Sequence, residues 1–236
     1  MKDTDETPSQ LEPSDTVQAY KRFWTDGYKS TAVEEEYQEQ AQPGFLKRVG
    51  LKPNHVFLDL GCGYLRGTIR LVDYLEEGHF YGIDISEANI QKARARALEL
   101  CKHKPNLAVA SRFEIEEIWP NMRADMIIAA SVFTHIFPRD VEECLRRVSR
   151  VLRGKFYATI FKDNTVPVYG GWCGVCAEHV DDSHDSSPAM RQQNFESLNF
   201  CYNTEWMLKA ARNCGLRMRE IASTEIYQYM LEFSPL

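Results

Sequence analysis

Short apolar runs alternate with helix-patterned segments through the middle of the chain. Five runs show little polar alternation, at residues 56–60, 80–83, 107–110, 124–131 and 156–161. This pattern is typical of strands that are buried on both faces of a parallel sheet. The segments between the runs are long enough for helices that cross from one strand to the next. The central part of the chain therefore predicts a parallel sheet with helices on both faces.

Start and stop residues support the helices. Ser86 is predicted to cap a helix that runs to about residue 100, and Pro138 opens a helix that Gly154 ends. Thr204 is predicted to cap a further helix, which Gly215 stops. Apolar runs at residues 216–222 and 226–233 then predict two strands that form a hairpin at one edge. The fold class that we expect is α/β, with a Rossmann-like, mostly parallel seven-stranded sheet and an antiparallel edge hairpin at the C-terminus.

A glycine turn between two acids is the most informative local motif. Gly61 and Gly63 follow the first strand directly, where the chain must reverse and a ligand can approach the backbone. Asp84 ends the second strand, where an acid can accept both hydroxyls of a ribose. Arg66 stands where a dinucleotide motif needs its third glycine, and Asp59 would repel a pyrophosphate. Such an acid suits a ligand that carries an ammonium and a sulfonium, as S-adenosylmethionine (SAM) does.

These motifs resemble the class I SAM-dependent methyltransferase superfamily over about residues 51–161. Asp59-x-Gly61-x-Gly63 is similar to the motif that holds the methionine part of SAM, and Asp84 to the ribose-binding acid. The turn at residues 61–67 and the segment 131–135 are similar to a bacterial group of small-molecule methyltransferases. The resemblance implies a cofactor site formed by Asp59, Gly61, Cys62, Gly63, Arg66, Asp84, Ile85, Ser111, Phe113, Ala130 and His135.

The chain departs from the family pattern in three places. Ser111 or Arg112 occupies the position of the aspartate that usually accepts from the adenine amino group. The Gly-Gly turn before the fifth strand is reduced to Gly154 followed by a lysine. A His-Pro-Arg stretch of the bacterial group is absent near residues 223–226, so the resemblance does not identify the substrate.

Length and composition fit one domain. Residues 1–15 are polar and acidic and are expected to form a disordered tail. Residues 16–236 are expected to form a single methyltransferase domain with a core at 51–161, an insertion at 162–203 and a C-terminal part at 204–236. The insertion leaves the ligand-binding edge of the sheet. We expect it to form a substrate lid with the N-terminal aromatic residues, which in an alternative interpretation only pack on the core.

Three residues are candidates for a direct catalytic role. A base is needed if the acceptor is a hydroxyl or an ammonium. His135 follows the fourth strand at the binding edge, although it can equally shape the cofactor pocket. His179 lies in the insertion, and Tyr28 is expected over the sulfonium or the acceptor. Asp163 follows the fifth strand and could bind acceptor hydroxyls.

Charge and cysteine content narrow the choice of partners. The net charge is −6 and no basic block stands out, which disfavours a nucleic-acid substrate. No apolar stretch approaches the ~18 residues of a membrane span. Seven cysteines, an odd number scattered along the chain, are typical of reduced thiols in the cytoplasm. Cys173-x-x-Cys176, with His179 and His184 nearby, would allow a zinc site, but no knuckle pattern supports it, and no metal is expected.

The sequence therefore predicts a SAM-dependent methyltransferase that transfers a methyl group to an oxygen or nitrogen of a small-molecule acceptor. Methylation of a peptide or protein, and a non-catalytic SAM-binding role, remain alternatives. A nicotinamide-dependent oxidoreductase is disfavoured by the glycine spacing and by Asp59.

Overall fold

A computed structural model describes residues 41–171, 199–223 and 228–236. The expected disordered tail, the N-terminal aromatic residues with Tyr28, and most of the insertion lie outside these residues. His179, His184 and the two cysteines of the zinc alternative lie outside them as well.

Five parallel strands form the centre of the sheet. They are β1 (Phe57–Leu60), β2 (Phe80–Asp84), β3 (Asn106–Val109), β4 (Ala124–Ala129) and β5 (Leu152–Lys162), in the order β3-β2-β1-β4-β5. The chain runs outward from β1 to β3, then returns to the other side of β1 to form β4. This reversal places a topological switch point between β1 and β4, where open α/β sheets bind their ligands.

Four further strands complete the sheet beyond β5. They are β6 (Tyr169–Gly171), β7 (Phe200–Tyr202), β8 (Leu216–Ser223) and β9 (Tyr229–Pro235). β9 pairs antiparallel with both β5 and β8, which confirms the C-terminal hairpin at the edge. β7 pairs with the last residues of β5, and β6 pairs antiparallel with β7. The described residues thus contain nine strands, and the two short ones within the insertion were not predicted.

Helices cover both faces of the sheet. In chain order they are α1 (described over residues 41–48), α2 (Ile69–Val72), α3 (Glu87–Leu100), α4 (Ile115–Ile118), α5 (Pro138–Val151) and α6 (Thr204–Asn213), with a 3₁₀ turn at Phe133–His135. One group of buried side chains joins α4, α5 and α6 to one face of the sheet, and a second joins α1, α2 and α3 to the other. The predicted fold class is confirmed.

The cap of α3 agrees with the prediction, whereas the boundaries of α5, β5 and α6 differ from it. The Ser86 hydroxyl accepts from the Asn89 amide at 3.3 Å, as an N-cap should. The cap of α6 is Asn203 and not Thr204, because the Asn203 side chain accepts from the amides of the next turn. α5 ends at Val151 and β5 begins at once, so Gly154 lies inside the strand. There its Cα faces the Asp125 carbonyl so closely that a Cβ would lie 2.2 Å from the oxygen.

Candidate active site

A cleft opens at the carboxyl ends of β1, β2 and β4, at the switch point of the sheet. The turn after β1 forms its floor, and the turns after β3 and β4 form its walls. Helix α1 contributes Gln42 to the lining, although this residue lies far from the turn in sequence. A Cβ on Gly67 would lie only 2.1 Å from Gln42 Oε1, so the missing side chain at position 67 lets α1 approach.

The glycine turn has the backbone conformation that its sequence requires. Gly61 and Gly63 have φ angles of +70° and +53°, in the left-handed region. A Cβ on Gly61 would lie 2.6 Å from Val132 Cγ2, so the turn packs directly against the segment after β4. Among the residues that the structure describes, none would lie within 4 Å of a Cβ on Gly63, because this position faces the open cleft. Gly63 therefore leaves backbone accessible to a ligand.

Asp84 connects the turn after β1 to the start of α3. Its carboxylate accepts hydrogen bonds from the Gly63 amide at 2.9 Å, from the Ser86 amide at 2.8 Å and from Asn89 Nδ2 at 3.3 Å. The residue is only 8% exposed. Burial raises the pKa of Asp84, while these three donors oppose the rise. The contacts hold the carboxylate in one orientation at the cleft.

Asp59 is the second buried acid of the cleft. It is 5% exposed and accepts a hydrogen bond from the Thr68 hydroxyl at 2.6 Å. Burial raises the pKa of Asp59 to about 7; the Thr68 hydroxyl opposes the rise, and the negative charge of Asp84 adds to it. Two acids buried this close together favour a ligand with positive charge, because a cation stabilises their ionised forms.

Cys62 lies between the two glycines of the turn and points towards the sheet. A Cβ on Gly82 would lie 3.1 Å from Cys62 Sγ, so the glycine in β2 makes room for the thiol. Burial, with the charges of Asp59 and Asp84, raises the pKa of the Cys62 thiol. The sulfur is consequently protonated and unsuited to nucleophilic attack.

Two residues of the cleft walls have strained backbones. Phe113, after β3, and Ser131, after β4, have φ angles of +58° and +55° without being glycine. The Ser131 amide donates to Thr159 Oγ1 at 2.7 Å, and its hydroxyl lies within hydrogen-bonding distance of the Gln228 amide. Non-glycine residues in this region are concentrated at functional sites, where surrounding contacts hold them.

The structure brings together all of the predicted cofactor residues except His135. His135 ends the 3₁₀ turn after β4, is half-buried and does not line the cleft. Sequence reasoning missed Gln42, Asn89, Val132, Asp140 and Glu143. Asn89 could have been found, since it lies one turn beyond the Ser86 cap beside Asp84; the position of Gln42 depends on tertiary packing alone.

Comparison with known proteins supports the interpretation of the cleft as a cofactor site. Residues 58–154 match the family model of a methyltransferase domain. The matched segment includes both acids and both glycines of the site. Over these residues, about two fifths of the chain, the protein is therefore similar to methyltransferase domains.

Two curated relatives and one solved structure illustrate the similarity. The chain is 30% identical over 137 residues to the probable methyltransferase ltbC of Aspergillus luteorubrus, which covers 55% of this chain and 48% of the relative. It is 31% identical over 117 residues to phosphoethanolamine N-methyltransferase 1 of Zea mays, and this alignment covers 50% of this chain and 22% of the relative. The chain thus spans about half the length of the first relative and about a fifth of the second.

Among solved structures, the magnesium protoporphyrin IX methyltransferase of Synechocystis PCC 6803, crystallised with S-adenosylhomocysteine (SAH), has a TM-score of 0.60 at 15% identity. The alignment covers 94% of each chain. At this identity the likeness shows a shared fold.

Proposed function

We propose that this protein transfers the methyl group of SAM to an oxygen or nitrogen of a small-molecule acceptor. The observation that carries the proposal is the pair of buried acids, Asp59 and Asp84, on either side of the open backbone at Gly63. When bound, SAM supplies a methyl group that its sulfonium has already activated. The enzyme then has to hold the cofactor, orient the acceptor and exclude water.

The roles of the cleft residues follow from their chemistry. Asp84 can accept ribose hydroxyls, since its carboxylate oxygens have lone pairs beyond those used by the backbone donors. Asp59 provides negative charge for the cationic methionine part of the cofactor. Ile85 and Phe113 supply apolar surface suited to adenine, and Ser111 a hydroxyl in place of the usual aspartate. Cys62, Arg66 and Ala130 complete the proposed cofactor site.

A small acceptor is supported by the names of the similar proteins, which include methyltransferases of phosphoethanolamine and of magnesium protoporphyrin IX. His135, His179 and Tyr28 remain the predicted candidates for acceptor chemistry.

Partners and location are proposed on separate grounds. The net charge of −6 argues against a nucleic-acid partner. Within the described ranges, no helix combines the length and the apolar character needed to cross a bilayer. The five cysteines of these ranges carry free thiols, which supports a reducing compartment such as the cytoplasm.

Calorimetric titration of the protein with SAM and with SAH tests the proposal. Both ligands should bind, and Asp84→Ala should weaken binding by about 1–3 kcal/mol, because charge-assisted hydrogen bonds are lost. Asp73→Ala is the matched control. Asp73 accepts hydrogen bonds from the Lys102 and His103 amides, just beyond the end of α3, and does not line the cleft. The affinity of this variant for SAM and SAH should therefore match that of the wild type. A protein that binds neither ligand would contradict the proposal.

A further inference from the structure

Ser131 is held in an unfavourable conformation at the edge of the cleft. Its φ of +55° costs a non-glycine residue about 1 kcal/mol or more, so surrounding contacts must maintain it. The hydrogen bond from its amide to Thr159 Oγ1, at 2.7 Å, ties the turn after β4 to β5. The strain aims the Ser131 side chain away from the direction that an extended strand would give it.

The Ser131 hydroxyl meets a buried carboxamide. Gln228 directly precedes β9 and is 5% exposed. Its Oε1 lies 3.2 Å and its Nε2 3.0 Å from Ser131 Oγ. The hydroxyl has one hydrogen, which it can donate to Oε1, and two lone pairs, which can accept from Nε2 or from a ligand. When it donates to Oε1, its lone pairs are left to accept a hydrogen bond from a ligand in the cleft.

The position of this pair separates it from the cofactor acids. Val132, the next residue, packs against Gly61, which places Ser131 directly beside the glycine turn. Asp59 and Asp84 belong to β1 and β2, whereas Thr159 belongs to β5 and Gln228 directly precedes β9, both beyond β4. Ser131 therefore lies between the proposed cofactor site and the opposite end of the sheet. Ser131 nevertheless lines the same cleft as both acids.

Building on the proposed function, we propose that Ser131 binds the acceptor, that Gln228 positions the Ser131 hydroxyl, and that together they select an uncharged O–H or N–H group. The acceptor donates its hydrogen to Ser131 Oγ, which donates in turn to Gln228 Oε1. The recorded hydrogen bonds of Ser131 are to a hydroxyl and a carboxamide, both neutral. A carboxylate acceptor would receive no compensating charge from them.

The pair orients the acceptor and does not act as a base. A carboxamide has no site that takes up a proton near neutral pH, and a serine hydroxyl that donates to it keeps its own hydrogen. As the acceptor's lone pair forms the bond to the methyl carbon, the carbon–sulfur pair stays on sulfur and SAH remains. The proton of a hydroxyl acceptor passes to a general base, for which His135, His179 and Tyr28 are the predicted candidates, and the proton of a neutral amine passes to water after the transfer.

Binding to the SAH complex tests the proposal without relying on turnover. The probes are benzyl alcohol, phenol, aniline and benzoate, which carry different groups on one ring. Ligand-observed NMR and calorimetry should detect the alcohol, phenol or aniline but not benzoate. Ser131→Ala should weaken binding of these probes about tenfold, as loss of one hydrogen bond implies, and leave SAH affinity within about twofold.

Substitutions at Gln228 distinguish positioning from mere packing. Gln228→Glu keeps an oxygen that accepts from Ser131, whereas Gln228→Met fills the same volume without one. Positioning predicts that the Glu variant retains the larger share of probe binding and of kcat in SAH-release assays. Packing alone predicts the reverse, because burying a carboxyl costs more than burying a thioether. Gln91→Glu and Gln91→Met, at an exposed glutamine on α3, are the matched controls.

Each outcome decides between the hypotheses. Preferential binding of benzoate, no binding by any O–H or N–H probe, or an Ser131→Ala variant with unchanged probe affinity would overturn the inference. So would a Met variant that outperforms the Glu variant. Loss of SAM and SAH binding in the wild type would instead refute the proposed function.

Discussion

At the scale of single residues, the site is defined by ionisable groups that the fold keeps from water. Asp59 has an exposed fraction of 5% and a pKa of about 7, well above that of a carboxyl in water. Without a ligand, the folded state favours the protonated acid. The contribution of Asp59 to the free energy of unfolding is fully present below 3.8, the pKa of this carboxyl in the unfolded chain. It is lost as the pH rises through about 7, the pKa in the folded protein.

A cationic ligand reverses this preference, so SAM affinity should depend on pH. The ionised fraction of Asp59 rises from about a tenth at pH 6 to about nine tenths at pH 8. SAM should therefore bind about tenfold more tightly at pH 8 than at pH 6, with proton release on binding at pH 6. Calorimetry in two buffers of different ionisation enthalpy measures both quantities.

Asp59→Asn provides the control for this prediction, since it keeps the shape of the side chain without the titration. The variant should bind SAM more weakly, and its affinity should vary little between pH 6 and pH 8. An unchanged pH profile in Asp59→Asn would assign the titration to another group.

The residues that the sequence could locate lie at or just beyond the carboxyl ends of predicted strands. Asp59, Gly61, Gly63 and Asp84 follow strand ends at fixed spacing, and parallel strands bring their carboxyl ends to one edge. Gln42 and Glu143 reach the same cleft from helices on opposite faces of the sheet, which no local pattern encodes. The Ser131–Gln228 contact joins positions 97 residues apart and was likewise beyond sequence analysis.

At the scale of elements, β5 joins the central parallel strands of the sheet to the antiparallel strands at its C-terminal edge. It pairs with β4 on one side and with β9 on the other. Glu232 of β9 accepts hydrogen bonds from Lys155 at 2.9 Å and Tyr157 at 3.0 Å in β5, and from Arg219 in β8 at 2.7 Å. One carboxylate therefore connects three adjacent strands.

This network should contribute to stability in a pH-dependent way. Burial alone would raise the pKa of Glu232, but the donors Arg219, Lys155 and Tyr157 outweigh it and lower the pKa to about 2. The contribution of Glu232 to the free energy of unfolding is present above 4.5, the pKa of this carboxyl in the unfolded chain. It is lost as the pH falls from 4.5 to about 2, the pKa in the folded protein. Glu232→Gln should lower the free energy of unfolding by about 1–3 kcal/mol at pH 7. The difference should shrink towards pH 3.

Urea unfolding at the two pH values measures this effect. Glu220→Gln, in the same hairpin, is the control, because Glu220 pairs with Lys162 at 3.2 Å in a more exposed position. It should change the free energy of unfolding by less than about 1 kcal/mol. Equal effects of the two substitutions would show that burial of Glu232 adds nothing.

Element boundaries show where local patterns were insufficient. The apolar stripe of α5 was sufficient to predict that helix, because five buried residues recur at helical spacing. β6 and β7 have only three residues each and β6 contains two glycines, so neither produces a recognisable strand pattern. Asn203 displaced Thr204 as the cap of α6 because its side chain reaches two amides of the first turn.

At the scale of the whole molecule, the cofactor site is predicted to lie in the core, whereas the acceptor is predicted to contact both the Ser131–Gln228 pair and segments outside the core. The core at residues 51–161 supplies nearly all of the cleft lining. The insertion at 162–203 and the N-terminal aromatic residues are expected to select the acceptor. The prediction can be tested at three positions that lie outside the described residues, Trp172, His179 and Tyr28.

Alanine substitutions at these three positions should reduce methyl transfer and leave SAM affinity within about 1 kcal/mol. SAH release and calorimetry on the same variants give the two quantities. Leu98→Ala, at an exposed position on α3, should change neither. Loss of SAM binding in all three variants would mean that these segments cover the cofactor.

The close approach of α1 to the glycine turn constrains how such a chain can evolve. Gln42 Oε1 occupies the space that a Cβ at position 67 would need. A mutation that adds a side chain at 67 therefore requires either that the flexible Gln42 side chain turns away or that a shorter residue replaces it. Among descendants of one ancestral gene, these two distant positions should vary as a pair.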